Sequence, residues 1–181
     1  MFYRFSLFIL FLAAIIKLIA IHFTNFDLFG DEAQYWIWSE NLDFGYYSKP
    51  PLLAWVIRIV TILFGSSFEV LKTIPVGIYF FTSYVIFLIT YELYQNKNLA
   101  ILTAISFYLM PAVSFSSFLL STDILLVFFW SLTLLFLLKI RKNPTLINFF
   151  ILGVFLGLSF LAKYAAIYFL LSSRRLYERR A

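Results

Sequence analysis

The sequence predicts an all-α, polytopic membrane protein, and three observations carry that prediction. Of the 181 residues, 63% are hydrophobic, 22% aromatic and only 13% charged, more apolar surface than one water-soluble domain of this length buries. The apolar residues form several long runs with few charges, the pattern of spanning helices rather than of alternating barrel strands. The basic residues lie at the ends of those runs, so the net charge of +5 reads as topology and not as a nucleic-acid footprint. The chain has no cysteine, which excludes disulfides, thiolate metal sites and cysteine nucleophiles.

About five to six spans are expected, with interfacial helices in the first outer loop. The first span covers about 5–23; Arg4 precedes it and no small-residue cleavage site follows, so it reads as a retained anchor. Lys17, near its far end, is expected to snorkel to the interface. Residues 24–65 form the outer loop. Within it, 51–64 is short for a span and carries Arg58, which fits an interfacial helix broken by Gly65-Ser66-Ser67. A second span runs over about 73–94 and a third over about 99–113, ended or kinked by Pro111. The fourth covers about 124–138 and the fifth about 146–162. The apolar piece 164–171 is too short to cross alone. Either 146–171 is one long tilted helix, or a last span is cut short. The arginine-rich stretch 172–181 reads as a cytoplasmic tail or as the mark of a truncated longer chain.

The charges fix an orientation. With the N-terminus in the cytoplasm, nine basic residues fall inside (Arg4, Lys97, Lys139, Arg141, Lys142, Arg174, Arg175, Arg179, Arg180) and three outside (Lys49, Lys72, Lys163). That is the positive-inside sense. The outer loop therefore faces out of the cytoplasm, and a bacterial inner or plasma membrane is the expected location.

The stretch from Asp31 to Trp55 is the extended polar interval of the N-terminal half, and chemistry is expected there. Asp31 and Glu32 are followed by Tyr35, Trp36 and Trp38. The residues fit an aromatic belt with solvated acids, or a carboxylate held at the membrane face to accept a proton. Neighbouring acids on a helix face different ways, so one can meet a cavity while the other binds elsewhere. Lys49 precedes Pro50-Pro51, and two prolines in a first turn suit a helix start. Such a start presents an ammonium and a partial positive charge to an anion, a phosphate being the natural candidate. Arg58 and Lys163 read equally as interfacial anchors or as phosphate contacts. Asp123, beside Ser121 and Thr122, fits a helix-start acid or a second site carboxylate on the outer side.

These residues resemble a known family. The Asp31-Glu32 pair, the aromatics, YYSKPPLLAW over 46–55 and the glycine break resemble the polytopic transferases of glycosyltransferase family 39. The related lipid A aminoarabinose transferases share the pattern. The resemblance implies a GT-C membrane fold with a dolichyl-phosphate-mannose–protein mannosyltransferase-like domain, of which this chain is the N-terminal portion. It further implies a polyprenyl-phosphate-linked sugar as donor and a protein, lipid or glycan as extracytoplasmic acceptor. By the same resemblance Asp31, with Glu32 beside it, matches the acid of the first outer loop. Lys49 matches the lysine near the donor phosphate, Lys163 a lysine available for anion contacts and Asp123 the acid of the second outer loop; Arg58 joins the donor-phosphate candidates on its charge and place, not on the resemblance. A divalent metal ion is compatible with the family's chemistry, although two distant acids supply no ligand motif. The competing reading is a transporter or flippase for an anionic lipid or solute, using the same charges along a pathway.

Overall fold

The computed structural model describes residues 2–23 and 27–178, with side chains placed over 8–23 and 27–173. Arg4, Arg174, Arg175, Arg179 and Arg180, used above to orient the chain, have side chains outside the described residues. All described regular elements are helical. They are α1 (Phe2–Phe23), α2 (Gly30–Glu40), α3 (Leu52–Phe64), α4 (Phe68–Tyr94), α5 (Lys97–Leu109), α6 (Pro111–Ser116), α7 (Thr122–Lys142), α8 (Leu146–Ala162) and α9 (Ile167–Glu178). A 3-10 turn, Tyr164–Ala166, joins the last two.

Two of these helices, Phe68–Tyr94 and Thr122–Lys142, are long and apolar enough to cross a bilayer. Other expected spans are shorter apolar helices, among them Lys97–Leu109 and Leu146–Ala162. At 1.5 Å per residue, α5 rises only about 20 Å and α8 about 26 Å, against a hydrocarbon core of about 30 Å. Sequence punctuation explains α5: the chain turns at Met110 (φ −55°, ψ 134°) before Pro111, which opens α6 at its first position. The residue before a proline is pushed out of the helical region, so the break falls there.

α4 is the axis of the bundle. α1, α5, α7 and α3 pack on it, α8 packs on α7, and α2 lies on α3. Polar contacts give the directions. Thr103 Oγ1 meets Thr90 Oγ1 at 2.9 Å, joining the middle of α5 to the last turns of α4, from which only Gln95 and Asn96 separate it in sequence. Lys142 pairs with Glu92 at 2.7 Å, joining the ends of α7 and α4. Those two helices run parallel, with α5 antiparallel to α4. One end of the bundle thus gathers the end of α1, the helices α2 and α3, the starts of α4 and α7, and the end of α8. The core between them holds Tyr35, Leu53, Ile57, Leu71, Tyr108, Leu120 and Ile124, all buried.

Two expectations about lysines are corrected here. Lys17 does not snorkel: it is buried, and its ammonium donates to the Tyr108 carbonyl at 3.0 Å while lying 3.8 Å from the centre of the Tyr108 ring. The break at Met110 leaves that carbonyl without a helical partner, and Lys17, with Ser114 Oγ at 3.4 Å, supplies the donors. Lys72 is not an outer-loop charge. α4 begins at Phe68 instead of near 73, so Lys72 lies inside the helix and is 4% exposed. Nor do 146–171 form one tilted helix. Lys163 is extended (φ −158°, ψ 136°) and separates α8 from the 3-10 turn and α9.

Candidate active site

α2 forms because Gly30 opens a run with acids in its first turn, where they complement the exposed amides and the helix dipole. Glu32, third in the helix, reaches back to accept from the Phe29 amide at 2.8 Å, one half of a capping box. The same carboxylate accepts from Lys72 Nζ at 2.6 and 2.8 Å and from the Leu120 amide at 2.6 Å. Lys72 also donates to the Phe118 carbonyl at 3.1 Å. The two side chains are only 3% and 5% exposed. An ion pair so dry is tolerable because the remaining valences of both groups are met by backbone. Glu32 therefore ties α2 to α4 and to the segment that leads into α7.

Asp31, one residue earlier, points away from this knot and is exposed. Asp123, exposed in the first turn of α7, meets Lys163 from the end of α8 at 2.6 Å. The structure thus joins two residues that the sequence left forty positions apart. Between Asp31 and Asp123 lies Tyr35, 4% exposed. Burial first, then the charges of Asp31 and Asp123, push its phenol above the ordinary 10.0, while the Thr122 hydroxyl acts the other way.

Lys49 sits half-buried at the head of α3, just before the buried Pro50 and Pro51. Its loop is closely tied. The Tyr46 amide donates to the Lys49 carbonyl at 3.1 Å, and the Tyr46 hydroxyl donates to the Trp38 carbonyl at 2.8 Å. The two rings stack 4.7 Å apart, and Trp55 Nε1 donates to the Asp43 carbonyl at 3.0 Å. Among the described residues no carboxylate lies within ion-pair distance of Lys49. Arg58 is engaged otherwise: it pairs with Glu40 of α2 at 3.3 Å, both groups partly exposed, and serves to hold α2 against α3.

Asp123 and Lys163 are paired at the end of the bundle that also holds Lys49 and the exposed Asp31, and Glu32 is buried there, bound to the segment that leads to Asp123. An open groove of about 300 Å³ at this end is lined by Asp27, Leu28, Trp36, Ser66 and Phe68, none of the candidate residues among them. Among the described residues no group of three or more His, Asp or Glu side chains is placed to hold a metal ion. With Glu32 bound to Lys72 and Asp123 to Lys163, the carboxylates do not make a metal site, and no step is drawn through one. Lys72, Tyr35 and Thr122 were named in the sequence but not as residues of the site. The available signal was Lys72 itself, set among Leu71, Ile74 and Pro75 where a span was beginning.

The family described as dolichyl-phosphate-mannose-protein mannosyltransferase matches residues 48–174. The chain belongs to this family of GT-C membrane glycosyltransferases. The match begins at Ser48, so it takes in Lys49, Lys72, Asp123 and Lys163 but not the Asp31-Glu32 pair. The chain is also similar to the lipid A galacturonosyltransferase RgtD of Rhizobium johnstonii, 34% identical over 152 residues. That alignment covers 84% of this chain and 32% of the relative, and so long a stretch takes in Asp31 and Glu32 as well. The chain thus spans about a third of the length of the curated relative it matches. No solved structure matches.

Proposed function

We propose that this chain carries the acid-and-lysine site of a membrane glycosyltransferase that moves a sugar from a polyprenyl-phosphate carrier to an acceptor outside the cytoplasm. The observation that carries the reading is the Asp123–Lys163 pair, at the bundle end to which the Glu32–Leu120 hydrogen bond also ties the helix that carries Asp31.

The chemistry follows from the charges. An acceptor hydroxyl attacks the anomeric carbon, and Asp31 takes its proton. The bond from that carbon to the phosphate oxygen breaks, passing through an oxocarbenium-like state. The electron pair leaves with the polyprenyl phosphate, whose growing charge is met by Lys49 and Lys163. A single displacement of this kind inverts the anomeric carbon. Glu32, whose oxygens are all engaged, leaves the base role to Asp31. Asp123 holds Lys163 and orients it. Arg58 joins the donor contacts only by leaving Glu40. The positive-inside bias supports an orientation with this end outside the cytoplasm, and the bacterial source of the relative supports a bacterial inner membrane. The relative's name favours a lipid A-type acceptor over a protein or another glycan.

The test is transfer of radiolabelled sugar from a polyprenyl-phosphate donor in membranes containing this chain, or an extended form encoded by any downstream reading frame. Transfer that disappears with Asp31→Asn supports the class and the base. Undiminished transfer by Asp31→Asn removes Asp31 from that role. No transfer by either folded form overturns the transferase reading.

A further inference from the structure

The buried pair beneath the surface has a role that neither of its charges alone suggests. Glu32 and Lys72 come from α2 and α4, and each also binds backbone of a third segment: Leu120 N–H for the acid, Phe118 C=O for the amine. That segment ends three residues before Asp123, and Glu32 follows Asp31 directly. Each candidate carboxylate is therefore one short, rigid step from the same knot. Among the described residues, the hydrogen bonds that join α2 to the 117–121 turn run through this pair: they come from parts of the chain 88 residues apart, and α2 otherwise lies on α3, where Glu40 pairs with Arg58.

We propose that Glu32 and Lys72 are positioning residues, a buried clamp that sets the separation of Asp31 from Asp123 and Lys163. The clamp touches no substrate. It rests on the transferase reading for its consequence, but its geometry is testable without any turnover. Loosening it lets α2 and the α6–α7 connection drift apart, and a misplacement of about 1 Å at a reacting centre costs on the order of 100-fold in rate.

The chain has no cysteine, so two introduced thiols are the only labelling sites. Spin labels at Ile37→Cys on α2 and Phe115→Cys on α6 occupy exposed positions (59% and 69%) and report the separation by pulsed electron resonance. In detergent or nanodiscs the otherwise native chain should give one narrow distance distribution. Lys72→Met should broaden it, and Lys72→Arg, which keeps the charge, should narrow it again. Glu32→Asp keeps the charge but retracts the carboxylate from Leu120, and should broaden it even where Lys72→Met fails to fold. In the transfer assay the same variants should lower kcat by about 10- to 100-fold with the donor KM unchanged, and Lys72→Arg should recover part of the loss. An unchanged distance distribution in both Lys72→Met and Glu32→Asp overturns the clamp. So does a broadened distribution with native kcat. A broadened distribution with no transfer even by the native chain upholds the clamp's geometry and overturns the transferase reading instead.

Discussion

Replacing Glu32 by glutamine is the sharpest perturbation of stability that this structure offers. The carboxylate receives two backbone amides and both approaches of the Lys72 ammonium. Glutamine has one oxygen to offer and turns its amide nitrogen towards the other side. One of the two buried N–H groups then faces a donor, a loss of about 1–3 kcal/mol. Lys72 keeps only the Phe118 carbonyl and becomes a buried cation without a counter-ion. Breaking a buried pair from one side costs about 3–5 kcal/mol in all, a large share of the roughly 5–15 kcal/mol that holds a typical fold. Removing the second charge as well, in Glu32→Gln/Lys72→Met, abolishes the uncompensated cation and should restore about 1–3 kcal/mol relative to the sum of the single changes. The assay is reversible denaturation of the purified protein in detergent, taken around the full double-mutant cycle. A Glu32→Gln variant within about 0.5 kcal/mol of the native chain, the scatter expected for surface changes, would refute the reasoning. So would single changes that simply add.

The surface residues should behave in the opposite way. Asp123→Asn breaks a partly exposed pair with Lys163, so stability should change by less than about 1 kcal/mol while sugar transfer falls by on the order of 100-fold; parallel melting and transfer measurements separate the two. Lys49→Ala removes a charge-assisted contact that strengthens as the phosphate departs, about 1.5–3 kcal/mol, and should lower kcat and kcat/KM about 10- to 100-fold with the donor KM less affected, as read from initial rates over a donor series. Tyr35 has a folded pKa above its ordinary 10.0, so the stability it contributes is complete below that pH and is lost as pH rises through the folded value. Tyr35→Phe should therefore flatten the alkaline fall in stability, measured by denaturation over a pH series.

Much of the fold was legible because hydropathy and punctuation are local. The fifth expected span matches α8, Leu146–Ala162, and the proline at 111 breaks α5 where the backbone of its predecessor requires it. The interfacial segment expected over 51–64 is α3, Leu52–Phe64, ended by Gly65 at φ +89°. The buried lysines were not legible. A lysine in an apolar run reads as the edge of a span, and that reading set the start of the second span near 73. Only a carboxylate forty residues earlier makes Lys72 affordable inside the bundle, and only a helix broken at Met110 gives Lys17 a carbonyl to bind. Both partners are non-local, so neither spacing nor composition could announce them. The candidate residues themselves were found from local sequence. Their grouping was not: the Asp123–Lys163 contact needs α7 and α8 to run antiparallel, and the engagement of Arg58 by Glu40 needs α2 to fold onto α3.

The account turns on one end of the bundle, with Asp31, Lys49, Asp123 and Lys163, lying across the membrane from the end that holds Lys97 and Lys142. Because the chain has no cysteine, that claim can be read directly with a membrane-impermeant maleimide in intact cells. Tyr47→Cys, at a fully exposed position beside Lys49 (103%), should label without permeabilisation. Asn98→Cys, exposed at the start of α5, should label only after the membrane is opened. Labelling of Asn98→Cys in intact cells, or protection of Tyr47→Cys there, would contradict the orientation and with it the extracytoplasmic site.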